Sequence, residues 1–421
     1  MRISAFLTGL VLVTLSVSIA TAACDGDCDY DGGVTVDEVI RGVSIALGTE
    51  SIEQCTVIDR NADRQVTVDE IVSALTAALD GCPAAEPRLI VLSREGRIAS
   101  VDLTAPWTVR ASADLGSSVL SARCRAGRCL VVHGSGDAVS VVDANDLTLL
   151  DTVRLERGSD PRDAAFVNDH TAVISEYGRA ELLVIDLTSG AQATVDLSSL
   201  ADEDRLPETL RLASCDTRVF AQLLRIDHET EAPAKIGAVL AVIDFASASA
   251  PLEGTLTGTI ALADRPKFDM PVDCEAGKLY VAEPRPLMRE GGGYEQVDLT
   301  TLTASDLPID TGAEVGGFEV AAPEGYWLIT HTDIGPGPSS HLNFVGEGPP
   351  DTRNTFAIEH VNDLALDEAE NLLFYPDACG TLPPRPACEA GVHVFRAHSG
   401  ERIAAEPIDV GFPPIELAIS R

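Results

Sequence analysis

Basic residues are scarce in this chain of 421 residues: 30 Lys and Arg stand against 66 Asp and Glu, a net charge of −36. A surface that negative repels phosphate backbones and anionic lipid, which argues against nucleic acid or a membrane face as partner and makes cations the natural counterpart. Aromatic residues make up 5%, with tryptophan only at Trp107 and Trp327. Paired C-x-x-C blocks are missing, so thiol ligation of a metal lacks its usual spacing. Neither H-E-x-x-H nor a complete G-x-S-x-G occurs, and the histidines His133, His170, His228, His331, His341, His360, His393 and His398 are scattered. Ser135 lies in a turn, His133-Gly134-Ser135-Gly136, short of a nucleophile elbow. Gly291-Gly292-Gly293 lacks the following Lys of a phosphate cradle. No catalytic string is left. At 45% hydrophobic and 23% charged the chain lies in the globular range, and its length suggests two to three domains.

Residues 1–23 carry Arg2, an uncharged apolar run and the small exit Ala20-Thr21-Ala22-Ala23, the layout of a secretory signal. Its removal leaves no membrane span, and the expected location is secreted, periplasmic or cell-surface. Cys24 follows at once, but a lipid anchor there leaves an odd number among the other nine cysteines. The ten divide into Cys24, Cys28, Cys55 and Cys82, then Cys124, Cys129, Cys215, Cys274, Cys379 and Cys388. Short loops favour Cys124 with Cys129 and Cys379 with Cys388, leaving Cys215 with Cys274. The first group stays open among three connectivities.

Residues 24–82 repeat themselves at an offset of 32: DCDYDGGVTVDE from Asp27 and DRNADRQVTVDE from Asp59. Positions 1, 3 and 5 hold Asp27, Asp29 and Asp31, then Asp59, Asn61 and Asp63; position 12 holds Glu38 and Glu70. Alternate short carboxylates in a tight loop converge on one point, and a hard cation such as calcium takes six to eight oxygens there. Gly33 and Gln65 supply the carbonyls of position 7, Thr35 and Thr67 stand at position 9, and the Glu at 12 closes the shell. Arg64 occupies position 6, where Gly is usual for its positive φ. An amphipathic helix follows each loop, from Val39 and from Ile71. Val39, Val43, Ile45, Ala46 and Leu47 in the first, and Ile71, Leu75, Ala78 and Leu79 in the second, form the apolar stripes expected to face each other.

The offset leaves too few residues for an entering helix before the second loop. The pair resembles the type I dockerin duplication, two half EF-hands, over residues 24–82. That resemblance implies bound calcium and a scaffold or cell-surface docking partner. Val36-Asp37 and Val68-Asp69 stand where dockerins carry cohesin-recognition residues and depart from the familiar pairs.

Beyond a linker at 83–87, residues 88–421 turn to short β-branched runs between Gly, Asp and Pro turns. Strand starts at Leu89, Leu130, Ala172, Val219, Leu279, Trp327 and Leu372 are spaced by 41, 42, 47, 60, 48 and 45 residues, a period that points to propeller blades. Most runs are followed by an apolar residue and Asp, as in Val142-Asp143 and Ile185-Asp186. The closing segment Pro414–Ser420 matches an inner strand and is expected to complete the first blade. Val131–Phe166 resembles the YVTN-type propeller repeat. The fold class is therefore mainly β: a seven-bladed β-propeller preceded by a small all-α calcium-binding, dockerin/EF-hand-like module.

Acids recur just before inner strands, at Asp163, Glu319, Asp363 and Glu416, and a ring of such strands brings them to one channel mouth. They form either a polar water-filled channel or, with Asn168 or Asn362, a cation site like that of the propeller lactonases this architecture resembles. A quinone-dependent dehydrogenase is expected to show Trp-rich blades, which two Trp do not provide. The leading reading is an exported calcium-binding protein whose propeller presents a platform for a protein or carbohydrate ligand. The alternative is a metal-dependent hydrolase or lactonase using the channel carboxylates.

Overall fold

The computed structural model describes residues 26–28, 33–59, 64–81, 86–227, 232–233, 237–246, 252–264, 268–283, 293–309, 314–321, 325–332, 339–346, 356–358, 363–379 and 390–421. The expected signal segment 1–23, Cys24, Cys82, Cys388 and residues 83–85 of the expected linker lie outside them.

From Arg88 the chain forms seven antiparallel sheets arranged as the blades of a propeller. Blade 2 shows the pattern, with Val119–Arg125, Arg128–His133, Ala138–Asp143 and Leu149–Arg154 each paired to the next. Each strand start expected from the sequence falls in the second strand of a blade, from Arg88–Leu92 in blade 1 to Leu372–Asp377 in blade 7. Those strands read as continuous apolar runs because both of their faces are covered. Leu89 and Val91 pack into a core shared with blade 7, whereas Ile90 and Leu92 pack into one shared with blade 2. Seven such cores lie between neighbouring blades. In the core between blades 6 and 7, Trp327 packs at a tilt against Phe344 and Phe395 and donates its indole N–H to the Ala397 carbonyl at 2.8 Å.

The last strand closes the ring as expected: Glu416–Ser420 pairs with Arg88–Leu92, and Leu417 sits opposite Val91. Blade 7 departs from the rest. Beyond Gly391–Arg396 its outer segment makes only the isolated bridges Val392 to Ile408 and Phe395 to Arg402. In blades 2, 3 and 5 the repeated Asp at the end of the third strand is a turn former, whereas Asp102 and Asp244 pair with arginines. Asp186 Oδ1 accepts the amides of Thr188 and Ser189, and Asp143 and Asp298 do the same in their blades.

Before the propeller lie helices α1 (Val36–Ala46) and α2 (Val68–Asp80). They begin three residues earlier than the apolar pattern suggests, because Thr35 and Thr67 cap them. Glu38 and Glu70 reach back to those residues' amides and hydroxyls at 2.7 and 2.9 Å. Their packing corrects part of the expected stripe. Val43, Leu47, Leu75 and Leu79 point outward, whereas Ile45 enters the shared core with Ile58, Ala74, Ala77 and the Cys28–Cys55 disulfide, and Val39 and Ala78 pack against it. Small residues allow this close approach: a Cβ on Gly42 would lie 2.0 Å from Ile58 Cδ1.

Cys28–Cys55 resolves the connectivity that the sequence left open for those two residues. Cys124–Cys129 and Cys215–Cys274 pair as expected, and Cys379 is disulfide-bonded. Such cystines indicate an oxidising, extracytoplasmic setting. Among the described residues no helix is long and apolar enough to cross a membrane.

Candidate functional site

Both acidic loops place their first and last carboxylates inside. Asp27 is 1% exposed, Glu38 4%, Asp59 9% and Glu70 6%. Glu38 Oε1 accepts the Cys28 amide at 2.7 Å, drawing the end of the first loop back to its start. In the second loop Asp59 Oδ2 accepts the Arg64 amide at 2.7 Å, and Arg64 takes φ 63°, the left-handed conformation for which Gly is usual at that position. Glu70 Oε1 is buried without a hydrogen-bond partner. Burying carboxylates is costly unless a positive charge or donors meet them. Repeating the burial at positions 1 and 12 of both loops therefore fits a hard divalent cation. Gly33, Thr35, Gln65 and Thr67 lie in the same loops; Asp29, Asp31, Asn61 and Asp63 lie outside the described residues.

In the propeller, counting each inner strand from its pairing with the second strand gives one residue per blade at a common level. In blades 1 to 7 these are Glu416, Ser121, Asp163, Arg211, Asp269, Gly317 and Asp363. Two residues further along, the level reads Ala418, Arg123, Ala165, Ala213, Pro271, Glu319 and Ala365. Three of the four acids expected at the channel mouth thus share a ring, while Glu319 stands one level deeper. Asn168 does not join them. It closes the turn between the first two strands of blade 3, accepting the His170 and Thr171 amides at 2.8 Å; Asn362 lies outside the described residues.

Two of the ring acids tie blades together. Asp163 Oδ2 accepts the Leu212 amide of blade 4 at 3.0 Å, and Asp363 Oδ2 accepts the equivalent Leu417 amide of blade 1. Arg123 Nη2 donates to both Asp163 and Asp269 at 2.9 Å, and Arg211 Nε lies 3.1 Å from Asp269 Oδ1. Glu416 Oε1 is buried without a hydrogen bond, its nearest guanidinium nitrogens 3.7 and 4.0 Å away. Carboxylate oxygens of Asp269, Asp363 and Glu416 come within 4.8 Å of one another. Burial pushes the Asp363 and Glu416 carboxyls well above the usual range, reinforced by neighbouring carboxylates. Burial and the Asp269 charge push Glu319 up to about 8. Burial also opposes ionisation of Asp269, but Arg123 and Arg211 hold it below its ordinary value. Beneath the ring a cavity of about 400 Å³ is walled mostly by apolar residues, many of them alanines, and reached by Arg123, Arg125, Asp269 and Glu319.

Sequence reasoning missed Asp269, Arg123 and Arg211. Asp269 precedes an inner strand of only Val272–Asp273, too short to show as an apolar run, although Asp269-Met270-Pro271 parallels Asp163-Ala164-Ala165 in register. His133, one of the scattered histidines, is buried between the Ser117 and Ser140 hydroxyls at 2.6 and 2.7 Å. Burial lowers its pKa. Buried Ser159 and Glu176 occupy the matching two positions in blade 3, which marks a repeated structural position.

No protein-family model matches the chain, and no curated protein matches it in sequence. Solved structures do resemble it. A protein of Bacteroides fragilis provisionally named a 6-phosphogluconolactonase aligns with a TM-score of 0.54 at 14% identity, over 79% of this chain and 98% of the other. The dihydro-heme d1 dehydrogenase NirN aligns with a TM-score of 0.51 at 12% identity, over 80% of this chain and 78% of the other. At such identities the likeness establishes the shared fold alone, the β-propeller.

Proposed function

We propose that this is an exported calcium-binding protein in which two ion-clamped loops order a helical docking module, and the propeller it carries is a binding platform. The observation that carries the reading is the pairwise burial of Asp27 with Glu38 and of Asp59 with Glu70. Calcium supplies the positive charge these carboxylates require, and without it their mutual repulsion loosens the helices. Titration calorimetry of the intact chain is expected to give two calcium ions per molecule, with loss of helical circular dichroism on chelation. Glu70→Gln should remove one ion and leave the other. Absence of binding heat at millimolar calcium overturns the reading.

The outward stripes give the module a face to present. Val36, Ile40, Val43 and Leu47 on α1, and Val68, Val72, Leu75 and Leu79 on α2, are all exposed at identical repeat positions. On each helix they lie nearly opposite the buried positions, Gly42 and Ile45 or Ala74 and Ala77. Exposed Asp37, Glu50, Asp69 and Asp80 accompany them. The occupant this surface fits is a protein with an apolar groove and a basic rim.

A further inference from the structure

The channel's second level is made of Ala or Pro in five blades, and only Arg123 and Glu319 carry longer side chains there. Arg123 is occupied by Asp163, Asp269 and Glu416, and Arg211 by Asp269 and Glu416. Among the described residues no cation reaches Glu319 within ion-pair distance. Its side chain lines both the 400 Å³ cavity and an adjoining one of about 550 Å³. Five acids, Asp163, Asp269, Glu319, Asp363 and Glu416, meet Arg123 and Arg211 at this end of the channel, and burial holds Glu319, Asp363 and Glu416 toward the protonated form, so an arriving cation meets carboxyls that can still ionise. Glu416 Oε1, buried and without a hydrogen bond, is turned into the same cluster.

We propose that the channel binds a primary alkylammonium ion, its head group held by Glu319 and its aliphatic body laid along the alanine-rich wall. A hard dication is the poorer fit. It wants six to eight oxygens, whereas here Asp163, Asp269 and Glu416 are already paired with guanidinium groups and the next level offers mostly methyl groups. An ammonium needs only three acceptors, and small apolar walls desolvate its chain. The inference deepens the platform reading and rests on it, but it does not depend on the calcium loops.

Binding is coupled to a proton. Asp269 and Arg123 face Glu319 from blades 5 and 2, and Glu368 from blade 7. Burial keeps the free Glu319 carboxyl largely protonated at neutral pH, so an arriving ammonium favours the ionised form and one proton leaves to solvent. The test is calorimetry of the calcium-saturated full chain with n-butylammonium chloride, in buffers of different ionisation enthalpy. Affinity should rise about tenfold per pH unit below 8 and level off above it. Glu319→Gln, close in shape, should keep the thermal midpoint, lose at least about tenfold in affinity and show no proton release. Absence of heat with butylammonium overturns the proposal, as does a Glu319→Gln variant with unchanged affinity and pH slope. So does a third calcium ion that butylammonium displaces. The two-ion stoichiometry of the loops, read separately, shows whether the calcium reading stands.

Discussion

Arg64 shows how one residue can shape the proposed calcium loop through its backbone alone. The left-handed backbone at loop position 6 lets its amide reach Asp59 Oδ2, and a side chain with a Cβ pays about 1 kcal/mol to stay there. Arg64→Gly should therefore tighten the proposed second calcium site roughly fivefold and leave the first unchanged, as resolved by two-site calorimetry. The need for positive φ was legible in the sequence, because the twelve-residue spacing assigns each position a role. The guanidinium bridges of the channel were not legible. Arg123 and Asp269 lie 146 residues apart and meet only because blades 2 and 5 share an axis. Nothing local to either residue encodes that meeting.

At the scale of elements, the helix pair reverses the simplest reading of amphipathicity. A strong apolar stripe usually marks the buried face, but here α1 and α2 bury Gly42, Ile45, Ala74 and Ala77, and turn their larger aliphatic residues out. Periodicity located both helices and their repeat, yet it could not say which of two apolar faces wins; the small residues and the Cys28–Cys55 bond decide that by allowing close approach. If the stripes are docking surfaces, Val36→Asp combined with Val68→Asp should abolish calcium-dependent retention on a cell-envelope fraction while leaving helical circular dichroism intact. Retention equal to the parent would exclude the stripes from the contact. The blades were easier to read, since a second strand covered on both faces writes its burial as an unbroken apolar run.

At the scale of the whole molecule, the ring is shut by a single strand. Glu416–Ser420 supplies the inner strand of blade 1, its Leu417 enters the core shared by blades 7 and 1, and Asp363 bonds its main chain. Deleting residues 416–421 should expose the Arg88–Leu92 edge and leave the chain aggregation-prone. Size-exclusion chromatography and the loss of a cooperative thermal transition would show it; a monomer that melts like the parent would mean that closure contributes little.

The irregular outer segment of blade 7 adds an asymmetry to this circle. Two lone bridges stand there in place of a full ladder, beside the seam where the two ends of the propeller chain meet. Local opening begins where backbone pairing is thinnest. The molecule should therefore breathe at that sector first, so hydrogen exchange would run from residues 402–408 inward while the opposite blades keep their protons longest.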